Sequence, residues 1–531
     1  MKPARALVCL AATGIFFLVV PPNAPAFRAA IMCSVYCASF FFRRQSSSIN
    51  SLALAAVILL LIKPTDLFDV SWQLSFAAVF GLLLFCERIH FFLYEKLTGL
   101  SWGKKAPKTK PFFRIIPRPG PYLLRLFSTC ITAWLGTVGI SLYHFYTITP
   151  LTPIWTVLVS PLIGAVSVIG YVKILLSLLL PSTGAMLDMI VGPLSALLIR
   201  IVRLIGSWHI SQICIGKVSA AIVILYYGFV LFAFFAHFRR PLVKTLICTV
   251  AAAVIVTSLA GAKWHRIHRD SLTLTCLDVG HGQAILAELP GSANILFDAG
   301  SLNYSDIGTR VIVPFLNYSG ISRIHAIIIS HNDIDHINGL PEVAEHCKVS
   351  NVYANDAFFT DAENRGAAKF LNQCFVDKGL PIKPLDKTSP FSGDVRITTL
   401  WPKEGALDSN QLSENDRSQV LLVEFAGVKI LLCSDIEKRA QTELLRLYPD
   451  LKADAVIVPH HGSKNTLATD FLESLGPDVL ICSCGKAQYE KQQTFTPPTR
   501  MKSFYTAKDG AITVSIAKDG SVRTTTFTAE R

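Results

Sequence analysis

The first 270 residues of this 531-residue sequence contain very few acidic side chains. Only six of the 37 Asp and Glu residues lie there, against 25 of the 50 Lys and Arg residues. Charged residues make up 16% of the whole chain, whereas soluble proteins carry roughly 25%. This shortage excludes an ordinary soluble fold for the first half. The net charge is therefore +19 before residue 270 and −6 after it, which together give the +13 of the chain. We predict a membrane domain at 1–265 and a soluble domain at 271–531.

The thirteen cysteines lack the spacing of a cysteine-rich zinc site. Several of them lie inside apolar runs, where a thiol behaves as a small hydrophobic group. Cys482 and Cys484 are separated by one residue, which is too close for a zinc knuckle. The pattern favours buried thiols and leaves a disulfide between distant cysteines open.

About nine apolar stretches in residues 1–265 approach the 20 or so residues that a membrane span needs. Their approximate bounds are 5–20, 26–42, 49–63, 72–93, 126–147, 152–180, 184–206, 219–237 and 243–261. A signal peptide is the alternative for the first stretch, but no small-residue cleavage site followed by polar sequence is present.

Basic residues predict the orientation of these spans. With nine spans, the basic loop 102–125 and the other main basic clusters lie on one side, which is expected to be cytoplasmic. The soluble domain then lies on the outer face, although Lys263, Arg266 and Arg269 favour the opposite side. The loop is more simply a topology determinant than a phosphate-binding surface. Within the apolar stretches, Arg28 and Gln73 either line a pathway or reach the membrane interface.

From Leu272 onwards the sequence changes to short β-like runs that are separated by Gly, Asp and Pro. Leu272–Leu277, Ala284–Leu289 and Asn294–Phe297 predict strands, and 437–447 predicts a helix. Strands that lead into helices indicate a layered α/β domain.

One loop in this domain carries four side chains that can bind a metal ion. The apolar run Ile327-Ile328-Ile329 predicts a strand, and His331, Asp333, Asp335 and His336 follow it within a few residues. Imidazole nitrogen and carboxylate oxygen together suit Zn²⁺, Mn²⁺ or a similar ion. One loop cannot complete two coordination shells, so further ligands are expected from other strand ends.

Two later strands end in side chains of the same kind. The run Leu431 to Ser434 is followed by Asp435, and the run Ala455 to Val458 leads to His460 and His461. A single His pair on a loop is usually structural. Three strand ends in this order favour a metal site.

The order HxDxDH, strand-end Asp and strand-end His resembles the metallo-β-lactamase fold. Other segments resemble motifs of the ComEC family of competence proteins, in the order of that family: Phe27–Met32 (RAxIM), Ser71–Ala77 (FQLSF), Leu277–Gln283 (LDVGQGD), Ser330–Leu340 (SHxDxDHxGGL), Asn415–Ser418 (NxxS) and Val458–Ser463 (VPHHGS). The resemblance implies a multi-domain protein, in which a polytopic α-helical membrane domain precedes an α/β metallo-β-lactamase-like domain with an αββα sandwich.

The resemblance also implies a function. The membrane domain is expected to be a channel in the inner or plasma membrane that passes single-stranded DNA during natural transformation. The second domain is expected to be a metal-dependent nuclease that degrades the other strand. The implied partners are single-stranded DNA, the lipid bilayer and other DNA-uptake proteins, and self-association stays open. Two alternatives remain. One is a channel with a catalytically inactive binding or assembly domain, and the other is a membrane-anchored hydrolase of another phosphoester.

The implied centre holds two divalent metal ions, Zn²⁺ or Mn²⁺, and Asp333 in place of a histidine makes it richer in oxygen. We expect one ion on His331 and Asp333, the second on Asp335 and His336, Asp435 as the bridge, and His461 with His460 completing a site. Asp335 and Asp435 are the expected catalytic residues. The expected supporting residues are Asp278, His281, Asp298, Asn415 and Ser418.

The chain departs from the family pattern at several positions. His281 and Gln283 replace Gln and Asp of the first motif, Ser434 replaces Gly, and Pro497-Pro498 stands where His-Pro is common. Gln283 removes a carboxylate near the expected centre, so nuclease competence stays open. The sequence also begins without the N-terminal soluble domain of the family, which predicts either a short form or a late start of the reading frame.

Overall fold

The computed structural model describes residues 3–19, 24–41, 47–98, 119–208, 210–236, 238, 241–363, 366–385, 393–403, 412–468, 470–491, 494–497 and 500–528. The basic loop 102–125 therefore lies mostly outside the described residues, as does the side chain of Arg28. The chain divides into two compact units, Met1–Thr257 and Ser258–Arg531, which we describe one at a time.

The described part of the first unit is helical. Its helices, the last of which continues into the second unit, are α1 (Pro3–Val19), α2 (Ala24–Phe41), α3 (Ser48–Ile62), α4 (Val70–Thr98), α5 (Pro119–Phe145), α6 (Thr152–Leu179), α7 (Pro181–Gly206), α8 (Ala220–Phe235) and α9 (Pro241–Ile267). Two short strands, β1 (Thr147–Ile148) and β2 (Ile213–Cys214), pair in antiparallel orientation. Each helix overlaps one of the predicted apolar stretches.

Five of these described helices are long and apolar enough to cross a membrane, namely α4, α5, α6, α7 and α9. Helices α3 and α8 are apolar but shorter. The first unit is therefore a membrane domain. The count of nine spans stays a prediction, as does the cytoplasmic placement of the basic loops that follows from it.

Helices α4 and α5 approach each other at backbone distance because small residues lie at their contact. A Cβ atom on Gly136 would lie 2.5 Å from the carbonyl oxygen of Ala77. Close contact through small residues is typical of helix pairs in membranes. Gln73 also joins the two helices, since its Oε1 accepts a hydrogen bond from His144 Nε2 at 2.9 Å. The amide of Gln73 thus contributes to helix packing, and a role in a pathway stays a proposal.

The second unit contains two main sheets. Its strands are β3 (Leu272–Cys276), β4 (Ile285–Glu288), β5 (Asn294–Phe297), β6 (Arg323–Ile324), β7 (Ala326–Ile329), β8 (Lys348–Val349), β9 (Val352–Ala354), β10 (Ile382–Pro384), β11 (Arg396–Trp401), β12 (Val420–Phe425), β13 (Val428–Leu432), β14 (Ala455–Ile457), β15 (Val479–Cys482), β16 (Lys502–Tyr505), β17 (Ile512–Ile516) and β18 (Val522–Thr526). Among the described residues, one sheet has the order β10-β9-β7-β5-β4-β3-β17-β18 and the other has β11 to β16 in sequence. The short β6 and β8 pair separately.

Helices cover the outer faces of both sheets. They are α10 (Val313–Tyr318), α11 (Ile334–Ile337), α12 (Leu340–His346), α13 (Asp356–Glu363), α14 (Ala367–Asp377), α15 (Lys438–Leu447), α16 (Phe471–Leu475), α17 (Lys486–Glu490) and α18 (Thr506–Asp509). The strands at 272–276, 285–288 and 294–297 and the helix at 438–447 confirm the elements predicted there.

Three hydrophobic layers hold this unit together, and alternate residues of one strand belong to different layers. Ile328 of β7 packs between the sheets, whereas Ile327 and Ile329 pack under the helices of the first sheet. In β13, Ile430 and Leu432 pack between the sheets, and Leu431 packs under the helices of the second sheet. Strands that are buried on both faces have continuous apolar sequences. The arrangement is the αββα sandwich of the metallo-β-lactamase-like fold.

Parallel pairing brings the predicted ligands to common edges. Strand β5 is parallel to β7, and β13 is parallel to β14. Asp298 directly follows β5, and the loop from Ser330 to His336 follows β7. Asp435 follows β13, and His460 and His461 follow β14. Polar side chains from strands that are far apart in sequence can therefore meet.

Candidate metal centre

Four buried side chains place their ligand atoms within 4.8 Å of one another: Asp335, His336, Asp435 and His461. His336 Nε2 lies 3.2 Å from Asp435 Oδ1. His461 Nε2 lies 3.2 Å from Asp335 Oδ2 and 3.5 Å from Asp435 Oδ2. Two ligand atoms that share one Zn²⁺ through bonds of about 2 Å stand roughly 3–4 Å apart. The spacing therefore fits a shared divalent cation.

Two polar atoms of this cluster, and one of the neighbouring His331, lack a hydrogen-bond partner in the protein. Among the described residues, His336 Nε2, Asp435 Oδ1 and His331 Nε2 are buried and make no hydrogen bond. A buried polar atom left without a partner costs about 1–3 kcal/mol. A divalent cation would satisfy these atoms together, so the residues fit a metal ion.

In His331, His336 and His461, a hydrogen bond at Nδ1 fixes the ring so that the lone pair of Nε2 is left for a metal ion. His336 Nδ1 donates to Asp298 Oδ2 at 2.8 Å, and His461 Nδ1 donates to the carbonyl oxygen of Ser483 at 3.0 Å. The Ser330 hydroxyl donates to Asp298 and accepts from His331 Nδ1 at 3.0 Å. Because Nδ1 carries the proton in all three neutral rings, Nε2 is free to bind metal.

His331 and Asp333 form a second pair beside the four-residue cluster. His331 Nε2 lies 3.5 Å from Asp333 Oδ2, and the His331 and His336 rings are 4.2 Å apart between centroids. Asp333 is partly exposed, whereas His331 is buried. The structure thus brings together both parts of the predicted ligand set. The number of ions stays a proposal.

The acidic and imidazole side chains of the cluster shift one another's pKa values. Burial would raise the pKa of Asp435, but the imidazoles of His461 and His336 outweigh burial and hold that pKa well below its usual range. Burial would lower the pKa of His336, but Asp435 and Asp298 outweigh it and raise that pKa well above its usual value. The pKa of His461 is raised for the same reasons, with Asp435 as the main partner. Protons on these rings would therefore compete with a metal ion.

Asp298, one of the expected supporting residues, contacts the ligand loop through hydrogen bonds and lies outside the four-residue cluster. It is fully buried and accepts hydrogen bonds from the Ser330 backbone N–H at 2.8 Å, the Ser330 hydroxyl at 2.7 Å, Gln283 Nε2 at 3.1 Å and His336 Nδ1 at 2.8 Å. Gln283, which replaces a carboxylate of the family motif, thus supports Asp298 by hydrogen bonding. The four-residue cluster contains no side chain from that position.

Four described residues around the centre have left-handed backbones although none is glycine. The φ angles are +55° at Asp298, +47° at Ser434, +47° at His460 and +52° at His461. Such conformations cost on the order of 1–3 kcal/mol each and cluster at functional sites. At Ser434, this geometry explains why the family pattern has glycine there.

Glycines also allow the loops of the centre to pack at backbone distance. A Cβ atom on Gly300 would lie 2.3 Å from the backbone of Asp335 and His336. On Gly282 it would lie 2.4 Å from the carbonyl oxygen of Gly300. The positions of Asp335 and His336 therefore depend on glycine at both sites.

The remaining predicted residues lie around the cluster. His460 is not in it; its ring is 6.3 Å from that of His461 and its Nδ1 is 3.6 Å from Glu437 Oε1. Asn415 donates to the same Glu437 oxygen, and Ser418 Oγ accepts from the backbone N–H of Asp435 at 3.2 Å. Asp278 caps its own turn through the N–H of Gly280.

Three residues that contact the histidines of the site were not among the predicted site residues: Ser330, Ser483 and Gln488. Ser330 could have been found, since it directly precedes the His331 loop. Ser483 contacts His461 through its backbone carbonyl oxygen, which carries no residue-type signal, and its hydroxyl donates to the carbonyl oxygen of Gly282. Gln488 lies on the short helix α17, far from every motif.

A cavity of about 1430 Å³ lies beside the cluster within the second unit. His281 and His460 line it, together with the cationic side chains of Arg310, Lys464 and Lys486. Tyr304 lies in the wall, and the Arg310 guanidinium is 4.5 Å from the centre of its ring. Asp278 and Glu490 also line the cavity, so it is polar and mixed in charge.

Comparison with known proteins extends over both units. Residues 1–240 match the family model described as Competence protein, and residues 293–466 match the one described as Beta-lactamase superfamily domain. The chain is 25% identical over 479 residues to ComE operon protein 3 of Bacillus subtilis, a match that covers 86% of this chain and 56% of that protein. Both units thus resemble the ComEC family of competence proteins. The resemblance that the motifs indicated is thereby confirmed.

The chain is also similar to a further curated protein and, more distantly, to solved structures. Recombination protein 2 of Haemophilus influenzae is 24% identical over 529 residues, covering 95% of this chain and 61% of that protein. The chain thus spans little more than half the length of these two relatives. A diphosphatase of the PhnP family is 13% identical with a TM-score of 0.28, covering 44% of this chain and 94% of that one. Yeast PDE1 is 9% identical with a TM-score of 0.29, and the match covers 46% of this chain and 99% of that one.

Proposed function

We propose that this membrane protein is a DNA-uptake channel of natural transformation, and that its second unit is a metal-dependent nuclease acting on single-stranded DNA at the outer face of the membrane. The match of residues 1–240 to the model described as Competence protein supports the uptake role. The observation that carries the nuclease proposal is the cluster of Asp335, His336, Asp435 and His461 beside a cavity whose wall includes three cationic side chains.

The ligand set determines what the centre can do. A bound divalent cation would polarise a phosphodiester and activate water. Asp335 and Asp435 would hold it, and Asp298 would keep the His336 ring in its binding orientation. We propose two ions, Zn²⁺ or Mn²⁺, because the separate pair of His331 and Asp333 adds a second set of nitrogen and oxygen ligands.

The cavity offers contacts for the strand. Residues 271–531 carry a net charge of −6, so attraction for a polyanion must be local or come from the basic first half. Arg310, Lys464 and Lys486 supply it locally by contacting phosphates. Tyr304, which is 38% exposed, can stack on an unpaired base, as aromatic residues do in single-strand binding sites.

Deletion of the chain from a transformable cell is expected to abolish entry of labelled DNA into the cytosol and to leave DNA binding at the surface intact.

The purified full chain in detergent should cut a labelled single strand with Mn²⁺ or Zn²⁺. Asp335→Ala should reduce the rate by more than the roughly 10–100-fold that loss of an outer-sphere partner causes. DNA binding without cleavage in any divalent metal would instead support an inactive binding module.

Replacing a cationic or aromatic residue of the cavity by alanine is expected to weaken binding of the DNA strand and to leave metal binding unchanged. Lys464→Ala or Arg310→Ala should each make the plot of log affinity against log salt concentration shallower by about 0.7, the contribution of one phosphate of a single strand. Tyr304→Ala should cost about 1–3 kcal/mol of stacking. Fluorescence anisotropy with a labelled oligonucleotide measures both effects. Lys378→Ala, an exposed lysine that does not line the cavity, is the control, and equal effects in all variants would refute a strand-binding cavity.

A further inference from the structure

His281 lies between the metal cluster and the cavity. Its ring is 4.6 Å from the ring of His461 between centroids, and its Nε2 is 3.8 Å from Asp335 Oδ2. The side chain is 34% exposed and lines the cavity. His281 is thus a fourth imidazole at the centre, on the side that is open to solvent.

Hydrogen bonds determine which nitrogen of His281 faces Asp335. The Gln488 side chain contacts the carbonyl oxygen of His461 at 3.2 Å, and a carbonyl only accepts, so the contacting atom is the amide nitrogen. Gln488 Oε1 therefore faces His281 Nδ1, at 3.2 Å, and accepts its proton. The neutral ring then presents the Nε2 lone pair toward the cluster.

This arrangement repeats that of the three histidines already described. His336, His461 and His331 each donate from Nδ1 to an acceptor held in place by the fold, and each directs Nε2 inward. The backbone N–H of His281 also donates to Asn303 Oδ1 at 2.6 Å, which fixes the loop. The ring is therefore held in place as a ligand is, by its backbone and its Nδ1.

The distance between His281 and Asp335 agrees with a shared ion rather than with a direct bond. At 3.8 Å the two atoms are too far apart for a hydrogen bond. Two lone-pair atoms that each bind one cation at about 2 Å can stand this far apart.

We propose that His281 is a ligand of the divalent cation held by Asp335 and His461, on the cavity side, and that Gln488 is its positioning residue. The additional imidazole makes the site richer in nitrogen, which favours Zn²⁺ or Co²⁺ over Mn²⁺ at this position. The inference goes beyond the proposed function, since it concerns the metal and not the molecule that is cut.

Co²⁺ is a suitable probe because its visible absorption reports its ligands. The full chain in detergent is freed of metal and titrated with Co²⁺. His281→Ala is expected to weaken Co²⁺ binding at least 10-fold and to change the visible spectrum, and added imidazole should restore the spectrum through the open cavity. Gln488→Leu should weaken binding by roughly 10-fold, as loss of an orienting partner does. His346→Ala, an exposed histidine elsewhere in the unit, is the control and should match the wild type.

An unchanged affinity and spectrum in His281→Ala, alongside a large loss in Asp335→Ala, would overturn the proposal. Should His281→Ala fail to fold, Gln488→Leu decides, and wild-type binding in that variant would equally overturn it. A wild-type chain that cuts no DNA would contradict the proposed nuclease and leave these expected metal affinities unchanged. The two proposals therefore fail separately.

Discussion

Replacing Asp435 by asparagine is expected to remove nearly all bound metal and, with it, the proposed cleavage of DNA. Asp435 is the one carboxylate of the four-residue cluster that faces two of its histidines, with oxygens 3.2 Å from His336 Nε2 and 3.5 Å from His461 Nε2. Asparagine keeps the size but removes the charge, and its amide can direct N–H groups at lone pairs that should bind the cation. The loss in metal affinity should exceed the roughly 10–100-fold typical of an outer-sphere partner.

Metal content of the full chain after gel filtration, measured by mass spectrometry, tests this result. Asp450→Asn is the matched control, because Asp450 is an exposed carboxylate fifteen residues further along the chain. It should retain wild-type metal and activity. If Asp435→Asn keeps its full complement of metal, then the cluster is not the metal centre.

The strand ends of the centre could be predicted from sequence because their signal is local. A strand buried on both faces is a continuous apolar run, and the first polar side chain after it marks the edge of the sheet. Ile327-Ile328-Ile329 before His331 and Ala455-Val456-Ile457 before His460 show this pattern. Parallel pairing places the strand ends of one sheet together, and the packing of the two sheets then brings both sets of ends to one site.

Contacts between distant loops could not be predicted in this way. Gln488 lies 207 residues from His281 along the chain, and only the packing of helix α17 brings them together. The paired histidines also looked alike in sequence. Successive left-handed residues turn His461 into the cluster, whereas His460 lines the cavity.

In the membrane unit, hydropathy predicted where helices lie but not how they pack. Each described helix overlaps a predicted apolar stretch, since length and apolar content are sufficient to find it. The close approach of α4 and α5 depends instead on Gly81 and Gly136. A hydropathy profile treats those positions as neutral, so the contact is visible only in the structure.

Removing the Asp298 carboxylate is expected to destabilise the second unit more than any change among the metal ligands. The fully buried Asp298 accepts from the backbone and hydroxyl of Ser330, from Gln283 and from His336. Asp298→Ala removes the acceptor of all four buried donors, and loss of one partner of a buried charged pair costs about 3–5 kcal/mol. Asp298→Asn should cost less, because asparagine tolerates the left-handed backbone of +55° and keeps one acceptor oxygen.

Denaturant unfolding of the full chain in detergent, followed in the presence of a chelator, separates this effect from metal loss. The chelator removes the metal ion from every variant, so a bound ion no longer makes the wild type more stable than Asp435→Asn. Asp298→Ala still lacks its hydrogen bonds under these conditions. The expected order of stability is wild type, then Asp298→Asn, then Asp298→Ala, with Asp450→Ala equal to the wild type. Equal stability of Asp298→Ala and Asp450→Ala in chelator would show that the Asp298 network does not hold the loop. Because His336 takes its orientation from this network, metal affinity should fall in the same order as stability.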